Sequence, residues 1–309
     1  MAKILVTGGS GFVGSNLIRR LLLKGYDVIS VDDYSNGLKD NDSPDVQCLN
    51  FDISSKKNWQ ELDGIEIDAV YHLAAQSSNA ISFQNPERDL LVNQLGTLNV
   101  IEFCSKHNIK RLIFTSSMSV YGNPSTIPTP PQESLRPDTY YAIHKASSER
   151  YIQISKGINW TIFRLYTTYG AGQNLANLEQ GLVKIFLGYV LRGEPIRVHG
   201  SLDRKRDIIH VSDVVEALVT SLDKGITYQK IYNLGFGQTI SVRDLIAKIV
   251  KGYLNSEKYP VIEESGDQGD PLVTQADINS IQKDIGWQPK ISPQNGIEET
   301  LRKYRISNE

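Results

Sequence analysis

The sequence predicts an α/β fold, in which a doubly wound parallel sheet carries a smaller C-terminal lobe. Over the first 165 residues or so, short apolar runs alternate with segments of helical periodicity. These runs are continuous, as in parallel strands that are buried on both faces, and the first leads into a glycine-rich turn. Strands that alternate with helices imply right-handed crossovers, which place helices on both faces of the sheet.

The candidate elements of this first part follow in order. Strands are predicted over 3–6, 27–31, 46–51, 68–72, 111–115 and 160–165. A helix is predicted over 11–24, where apolar residues recur at helical spacing: Phe12, Val13, Leu17, Ile18, Leu21 and Leu22. Two further helices are expected over 90–107 and 141–156, and the proline-rich segment 123–137 is expected to be a long loop.

The pattern loosens after about residue 166, where glycines and prolines come closer together. We therefore expect a main domain over 1–165 and a smaller substrate-binding lobe formed mainly by 166–309. A strand over 231–234 and a helix over 243–251 predict that some chain, from about 205–240, returns to the main domain.

Composition excludes several classes of protein. The 309 residues suit one large domain with a smaller companion, and a net charge of −2 gives no basic surface for nucleic acid. The N-terminus does not resemble a signal peptide and no apolar stretch approaches the length of a membrane span, so a cytoplasmic protein is expected. Cys48 and Cys104 lie in apolar surroundings and are expected to be buried free thiols, without a disulfide or metal site.

The turn Thr7-Gly8-Gly9-Ser10-Gly11-Phe12-Val13-Gly14 lies between the first strand and the first helix. Glycines at 8, 11 and 14 allow a tight turn, a close approach to a pyrophosphate and packing of the helix on the sheet. The helix N-terminus offers free N–H groups to the phosphates. Asp32 ends the second strand, 18 residues after Gly14, where its carboxylate can accept ribose hydroxyls and repel a 2′-phosphate. The pattern predicts a Rossmann-type domain that binds NAD rather than NADP.

Three residues form a candidate proton relay. Tyr141 and Lys145 are four residues apart, on one face of a predicted helix, and Ser117 ends an apolar strand. Hydride chemistry at a carbinol needs a group that accepts and returns the hydroxyl proton. A phenol has an unperturbed pKa of about 10, and we expect the Lys145 ammonium and the positive nicotinamide of the cofactor to lower it together. His144 is expected to face elsewhere on the helix.

Together these motifs resemble the extended short-chain dehydrogenases/reductases that act on nucleotide-sugars, and most nearly the UDP-glucose 4-epimerases. The resemblance also includes Asp52-Ile53, His72-Leu73-Ala74-Ala75, Asn93, Val120-Tyr121-Gly122, the run from Arg206 to Asp213, Ala276-Asp277 and Gly286-Trp287-Gln288-Pro289. It therefore covers nearly the whole chain.

The resemblance implies a set of binding residues. Those implied for NAD are Gly8, Gly11, Phe12, Val13, Gly14, Asp32, Asp33, Asn36, Gly37, Asp52, Ile53, Leu73, Ala74, Ala75, Asn93, Tyr141, Lys145 and Tyr166. Those implied for a nucleotide-diphosphate sugar are Ser117, Thr167, Asn177, His199, Arg206 and Asp270, with Arg206 on the diphosphate and His199 against the base. Family members often pair the helices over 90–107 and 141–156 about a two-fold axis, so a homodimer is implied as well.

Some positions depart from the family pattern. Thr167 replaces an asparagine that contacts substrate in the epimerases, which resembles uronic-acid epimerases, although the arginine that those enzymes use for a carboxylate is missing. Asp267 stands where a second phosphate-binding arginine is expected. Met118 and Ser119 replace the Asp-Glu pair of the 4,6-dehydratases, and neither can act as the acid or base of a water elimination.

Three functions remain open on the sequence. The first is an NAD-dependent 4-epimerase that works through a transient 4-keto sugar on a UDP-hexose-like substrate. The second is a C4 dehydrogenase or 4-keto reductase, in which the same three residues support net redox turnover. The third is a non-catalytic NAD(H)-binding sensor, which would have no need of the relay formed by Ser117, Tyr141 and Lys145.

Overall fold

The computed structural model describes residues 1–175, 177–266 and 271–306, and the side chains as far as residue 304. Its strands are β1 (Lys3–Thr7), β2 (Asp27–Asp32), β3 (Gln47–Asn50), β4 (Ala69–His72), β5 (Arg111–Ser117), β6 (Asn159–Leu165), β7 (Thr167–Tyr169), β8 (Ile196–His199), β9 (Lys205–His210), β10 (Lys230–Leu234), β11 (Thr239–Ser241), β12 (Val261–Glu264) and β13 (Val273–Thr274).

The helices are α1 (Phe12–Leu23), α2 (Asn79–Gln84), α3 (Pro86–Leu90), α4 (Gly96–Lys106), α5 (Tyr140–Ile154), α6 (Leu182–Arg192), α7 (Val211–Ser221), α8 (Val242–Leu254), α9 (Asn279–Ile285) and α10 (Pro293–Ile306). A single widened turn of π-helix, Leu91–Leu95, joins α3 to α4, so the helix predicted over 90–107 is interrupted. Within the described part of the chain, no helix combines the length and apolarity that a membrane span requires.

Seven parallel strands form the central sheet in the order β10-β6-β5-β4-β1-β2-β3. The chain winds outward from β1 in one direction through β2 and β3, and in the other through β4, β5 and β6. The predicted doubly wound parallel sheet is therefore confirmed. Reversal of the strand order between β1 and β4 leaves a crevice at the carboxyl ends of the strands, which is where such sheets bind ligands.

Two apolar cores hold helices on opposite faces of the sheet. On one face, Leu17 and Leu21 of α1 pack in the same cluster as Leu218 of α7. On the other, Phe103 of α4 and Ile152 of α5 pack in a second cluster. Continuous apolar strands are needed here because each strand contributes side chains to both cores.

The smaller lobe has its own core and its own strands. Helices α6, α8 and α10 contribute Phe186, Ile249 and Leu301 to a third apolar cluster. Strand β9 pairs with β7, β11 and β13, and β8 pairs with β12. The segments α7 and β10 belong to the main domain, since α7 packs on α1 and β10 joins the edge of the central sheet. The chain therefore passes between the main domain and the smaller lobe more than once.

A buried ion pair connects α5 to the central sheet. The guanidinium of Arg164 on β6 donates to both carboxylate oxygens of Glu149, at 2.9 and 2.6 Å, and also to the Tyr121 hydroxyl at 2.9 Å. The side chain of Glu149 is fully buried and that of Arg164 is 3% exposed. Burial disfavours the charge on Arg164, but the carboxylate beside it raises the pKa of the guanidinium above its ordinary value.

We expect Glu149→Gln to lower the free energy of unfolding by about 3–5 kcal/mol, because it leaves a buried guanidinium without its counter-charge. Denaturant unfolding followed by circular dichroism measures the change. Glu102→Gln is the matched control, since Glu102 pairs with Lys56 at the surface and should change stability by no more than about 1 kcal/mol. Equal losses in the two variants would contradict this account.

Candidate active site

A cavity of about 560 Å³ occupies the crevice at the carboxyl ends of the strands. It runs from the glycine turn, past the ends of β4 and β5, to the first residues of α6. Most of the residues that the sequence implicates line it together: Gly8, Gly11, Phe12, Val13, Gly14, Asp32, Asp33, Asn36, Gly37, Ile53, Leu73, Ala74, Ala75, Ser117, Tyr141, Lys145, Tyr166, Thr167 and Asn177.

Two further implicated residues lie just behind its wall. Asp52 accepts a hydrogen bond from the Arg88 guanidinium at 2.9 Å, and Arg88 itself lines the cavity. Asn93 is buried and donates to the Gln76 carbonyl at 2.9 Å, while its buried side-chain oxygen has no hydrogen-bond partner among the described residues. That oxygen is an unsatisfied acceptor directly behind the site.

Two implicated substrate residues do not line this cavity. The side chain of His199, at the end of β8, is 61% exposed and its Nδ1 lies 3.3 Å from the Glu264 carboxylate. Arg206 is buried on β9 in the smaller lobe, and its guanidinium donates to the Lys205 carbonyl at 3.0 Å. The roles of both residues in substrate binding stay predictions. Asp270 and Asp267 lie outside the described residues.

The glycine turn has the shape that a phosphate requires. Gly8 adopts φ +72°, and a Cβ there would lie 2.7 Å from the Ala74 nitrogen on β4's loop. A Cβ at Gly14 would overlap the Gly8 carbonyl oxygen. Helix α1 begins after Gly11 with no side-chain cap and no acidic residue in its first turn. Its first N–H groups and the positive end of its dipole are therefore available to an anion.

Asp32 is held rigidly at the end of β2. Its carboxylate accepts backbone N–H bonds from Ser10 at 3.0 Å and Tyr34 at 2.9 Å, one on each oxygen. Burial raises the pKa of Asp32, and the two N–H bonds oppose that shift. Each oxygen retains a lone pair, which suits a ribose diol. The glycine turn and Asp32 together fit the pyrophosphate and adenosine ribose of a dinucleotide.

Sequence analysis did not identify Arg88, which links two loops at the end of the cavity that contains Asp32. This residue of α3 donates to Asp33 at 2.5 Å and to Asp52 at 2.9 Å, and so bridges the loops that follow β2 and β3. Burial opposes the ionisation of Asp52, but Ser54 and Arg88 bring its pKa below the ordinary value. In the sequence, the only indication of a cation at this place is that Asp33 and Asp52 follow neighbouring strands.

Ser117, Tyr141 and Lys145 meet on the cavity wall at the end of β5. Thr139 caps α5 by accepting from the Ala142 nitrogen at 3.1 Å, which fixes the first turn of the helix. Tyr141 and Lys145 are 8% and 2% exposed. Burial raises the pKa of Tyr141 to about 12, and the Ser117 hydroxyl partly offsets the shift. The arrangement can pass a proton between a phenol and a substrate hydroxyl.

The expected lowering of the Tyr141 pKa by Lys145 stays a prediction. Burial lowers the pKa of Lys145 itself to about 7, although the charges of Glu149 and Asp89 oppose the shift. Its ammonium lies 4.1 Å from the centre of the Phe114 ring, and burial dominates at the phenol. The positive nicotinamide of bound NAD would add a second charge that favours the phenolate.

Comparison with known proteins identifies the chain at this point. Residues 4–235 match the model of the NAD-dependent epimerase/dehydratase family. The chain belongs to that family. NAD is accordingly its cofactor, and the glycine turn, Asp32 and the unpaired amides of α1 are the groups that would hold it. The protein is an enzyme of this family.

Several relatives resemble it over their whole length. A putative UDP-glucose 4-epimerase of Methanocaldococcus jannaschii is 31% identical, over 99% of each chain. The crystal structure of a Thermotoga maritima UDP-glucose 4-epimerase with UDP-glucose superposes with a TM-score of 0.93 at 32% identity, covering 99% of this chain and 100% of that one. A Thermus thermophilus UDP-glucose 4-epimerase in complex with NAD gives 0.89 at 28% identity, covering 98% and 99%.

His144 does not line the cavity, but it belongs to a buried network of hydrogen bonds that reaches the cavity through Gln76. Its Nδ1 is hydrogen-bonded to Asp89 on α3, and the other Asp89 oxygen accepts from the Gln76 amide at 2.7 Å. Gln76 lines the cavity. These hydrogen bonds hold α5, and with it Tyr141, in place relative to the loop that follows β4.

A polar loop of the smaller lobe forms the far wall of the cavity. Asn177 donates to the Asn36 side chain at 3.0 Å, Asn36 donates to Gln180 at 3.0 Å, and the Ser78 hydroxyl donates to the Glu179 carbonyl at 2.9 Å. Only Asn36 and Asn177 were expected near a ligand. The remaining loop residues carry no motif, so nothing in the sequence singled them out.

Asp32→Ala should narrow the preference of the enzyme for NAD over NADP. The variant loses the acceptor for the ribose hydroxyls and the charge that repels a 2′-phosphate. Dissociation constants for both cofactors, measured by fluorescence titration of cofactor-stripped protein, test this. Asp27→Ala changes an exposed carboxylate at the other end of the same strand and should leave the ratio unchanged. Equal affinity of the unmodified enzyme for the two cofactors would refute the role of Asp32.

Proposed function

We propose that the enzyme is a nucleotide-sugar 4-epimerase that acts on a UDP-hexose-like substrate through a transient 4-keto sugar. The observation that carries the proposal is the placement of Ser117 and Tyr141 on the wall of a cavity that offers no carboxylate at positions 118 and 119. Such a site can move a proton at one sugar oxygen. It lacks the acid and base that an elimination requires.

The proposed roles follow from the geometry. Ser117 would hold the C4 oxygen by a hydrogen bond, and Tyr141 would accept its proton and later return it. Bound NAD would supply the hydride acceptor, the returning hydride and the positive charge that the phenol lacks. Lys145, with a pKa lowered to about 7 by burial, could take up or release a proton near neutral pH and so keep the site supplied.

The elimination chemistry of a dehydratase fits this cavity poorly. Met118 and Ser119 both line it, at the positions where the dehydratase pattern has its two acids. The Ser119 hydroxyl accepts a hydrogen bond from the Ser117 hydroxyl at 3.0 Å. Neither side chain can abstract a carbon-bound proton near neutral pH.

The substrate class is supported by the proteins that the chain resembles. The relatives described above are named UDP-glucose 4-epimerases, and one of them was crystallised with UDP-glucose. Incubation of the enzyme with UDP-glucose should produce UDP-galactose, detected by chromatography, without a lasting rise in NADH absorbance. A lasting rise with no inverted product would favour the net dehydrogenase instead.

Tyr141→Phe should lower turnover by at least about 10²-fold, because it removes the group that accepts the proton and leaves the ring in place. The coupled or chromatographic assay of the same substrate measures this. Tyr140→Phe is the matched control, since Tyr140 is the neighbouring tyrosine and is 43% exposed. Full activity in Tyr141→Phe would exclude the proposed relay.

We also propose that the enzyme is a homodimer. Helices α2 to α5 expose large apolar side chains, each 41–57% exposed: Phe83, Leu90, Leu98, Tyr140 and Ile143. Phe83 and Tyr140 pack edge to face with ring centres 5.4 Å apart, so the patch is continuous between α2 and α5. Leu98 and Ile143 lie in the two segments that family members pair about a two-fold axis.

The double variant Leu98→Glu/Ile143→Glu should be monomeric, because it places charges within the proposed contact. Light scattering at micromolar concentration should give twice the 34.6 kDa chain mass for the unmodified enzyme and one chain mass for the variant. Ile226→Glu alters an isoleucine outside these helices that is 54% exposed, and it should leave the dimer intact. A monomeric unmodified enzyme would contradict the proposal.

A further inference from the structure

Arg88 joins two loops at the end of the cavity that contains Asp32. Its guanidinium donates to the Asp33 carboxylate at 2.5 Å, in the loop that follows β2, and to the Asp52 carboxylate at 2.9 Å, in the loop that follows β3. Asn85 caps α3 by accepting from the Arg88 backbone nitrogen at 3.0 Å, which fixes the start of the helix that carries the guanidinium. One side chain on a short, capped helix thus bridges the loops of two neighbouring strands.

Apolar side chains next to this bridge line the same cavity. Phe51 and Ile53 flank Asp52 in the sequence, and Val92 follows Arg88 by four residues. All three apolar side chains line the cavity, are less than a tenth exposed and belong to one apolar cluster. An apolar surface with a few polar groups at its edge suits a planar base such as adenine.

The bridge is accessible rather than buried. Arg88 and Asp33 line the cavity, and their side chains are 34% and 25% exposed, while that of Asp52 is 32% exposed. Ion pairs that are this accessible are individually weak, so they can open to admit a ligand. Without the guanidinium, the two carboxylates would repel each other and favour separation of their loops. The bridge therefore has the position and the strength of a clasp that can open and close.

We propose that Arg88 is a positioning residue for the cofactor, which joins the loops of Asp33 and Asp52, closes the adenosine end of the site and slows the release of NAD. Asp32 directly precedes Asp33 and is placed to hold the adenosine ribose, so the adenosine would lie where the two loops meet. The inference goes beyond the proposed reaction. NAD is the cofactor of the family whether the enzyme epimerises its substrate or oxidises it.

The rate of NADH release measures the clasp directly. Enzyme loaded with NADH is mixed with excess NAD, and the loss of bound-NADH fluorescence gives the rate. We expect Arg88→Met, which removes the guanidinium and keeps an unbranched side chain, to release NADH at least about tenfold faster. Arg88→Lys should fall between the two, because an ammonium lacks the planar fork that reaches both carboxylates. An unchanged release rate in Arg88→Met would overturn the proposal.

Arg20→Met is the matched control for the loss of an accessible arginine. Arg20 on α1 pairs with Glu216 on α7 at 2.9 Å, their side chains are 36% and 40% exposed, and Arg20 is not among the described residues that line the cavity. Its replacement removes a comparable ion pair and should leave the release rate unchanged. If Arg20→Met speeds release as much as Arg88→Met does, the effect is a general one on the fold and the clasp is refuted.

A double-mutant cycle separates a clasp from two independent contacts with the cofactor. Asp33→Asn removes the charge of one arm of the bridge and should also speed release. Arg88→Met/Asp33→Asn should release NADH no faster than Arg88→Met alone, because the charge that would repel Asp52 is gone. Acceleration by the product of the two single factors would mean that Asp33 and Arg88 act on the cofactor separately, which contradicts the clasp.

Two fragments of the cofactor identify the end that is held. ADP-ribose contains the adenosine, and nicotinamide mononucleotide lacks it. In calorimetric titrations of cofactor-free protein, Arg88→Met should weaken the binding of ADP-ribose by about tenfold or more and leave that of nicotinamide mononucleotide unchanged. Equal weakening of the two fragments would place the effect outside the adenosine end and count against the proposal.

Discussion

The reversal of strand order between β1 and β4 is the constraint on which the rest of the structure depends. On one side of it the crossovers lead to β2 and β3, and on the other to β5 and β6, so no crossover covers the carboxyl ends where the two sets diverge. The glycine turn follows β1, Asp32 ends β2, and Ser117 ends β5. Residues distant in sequence therefore meet in one cavity, because the parallel strands all end at the same edge.

Local rules were sufficient for the parts of the site that a single segment defines. The glycine turn needs a positive φ at Gly8 and close backbone contacts at Gly14, and both requirements can be read from the chain. Tyr141 and Lys145 follow from helical spacing, and continuous apolar runs indicate a sheet with two covered faces. Each of these features depends on a few neighbouring residues, or on the repeat of apolar residues along a helix or strand.

The features that the sequence did not reveal depend on contacts between segments. Arg88 can be recognised only after Asp33 and Asp52 are known to lie beside each other, and His144 only after α3 is packed on α5. Arg206 is a different case, because motif spacing alone does not determine which way a strand directs a side chain. Its guanidinium donates to the Lys205 carbonyl, and its contact with the substrate stays a prediction.

Glu149 has a second role besides its ion pair with Arg164. It lies one helical turn after Lys145 on α5, and its negative charge favours the protonated form of that lysine. The carboxylate that neutralises a guanidinium in the core thus also influences how many protons the active site holds at neutral pH. A substitution of Glu149 would therefore change the ionisation of Lys145 as well as the packing of the core. At this position the stability of the fold and the acid–base chemistry of the site are coupled.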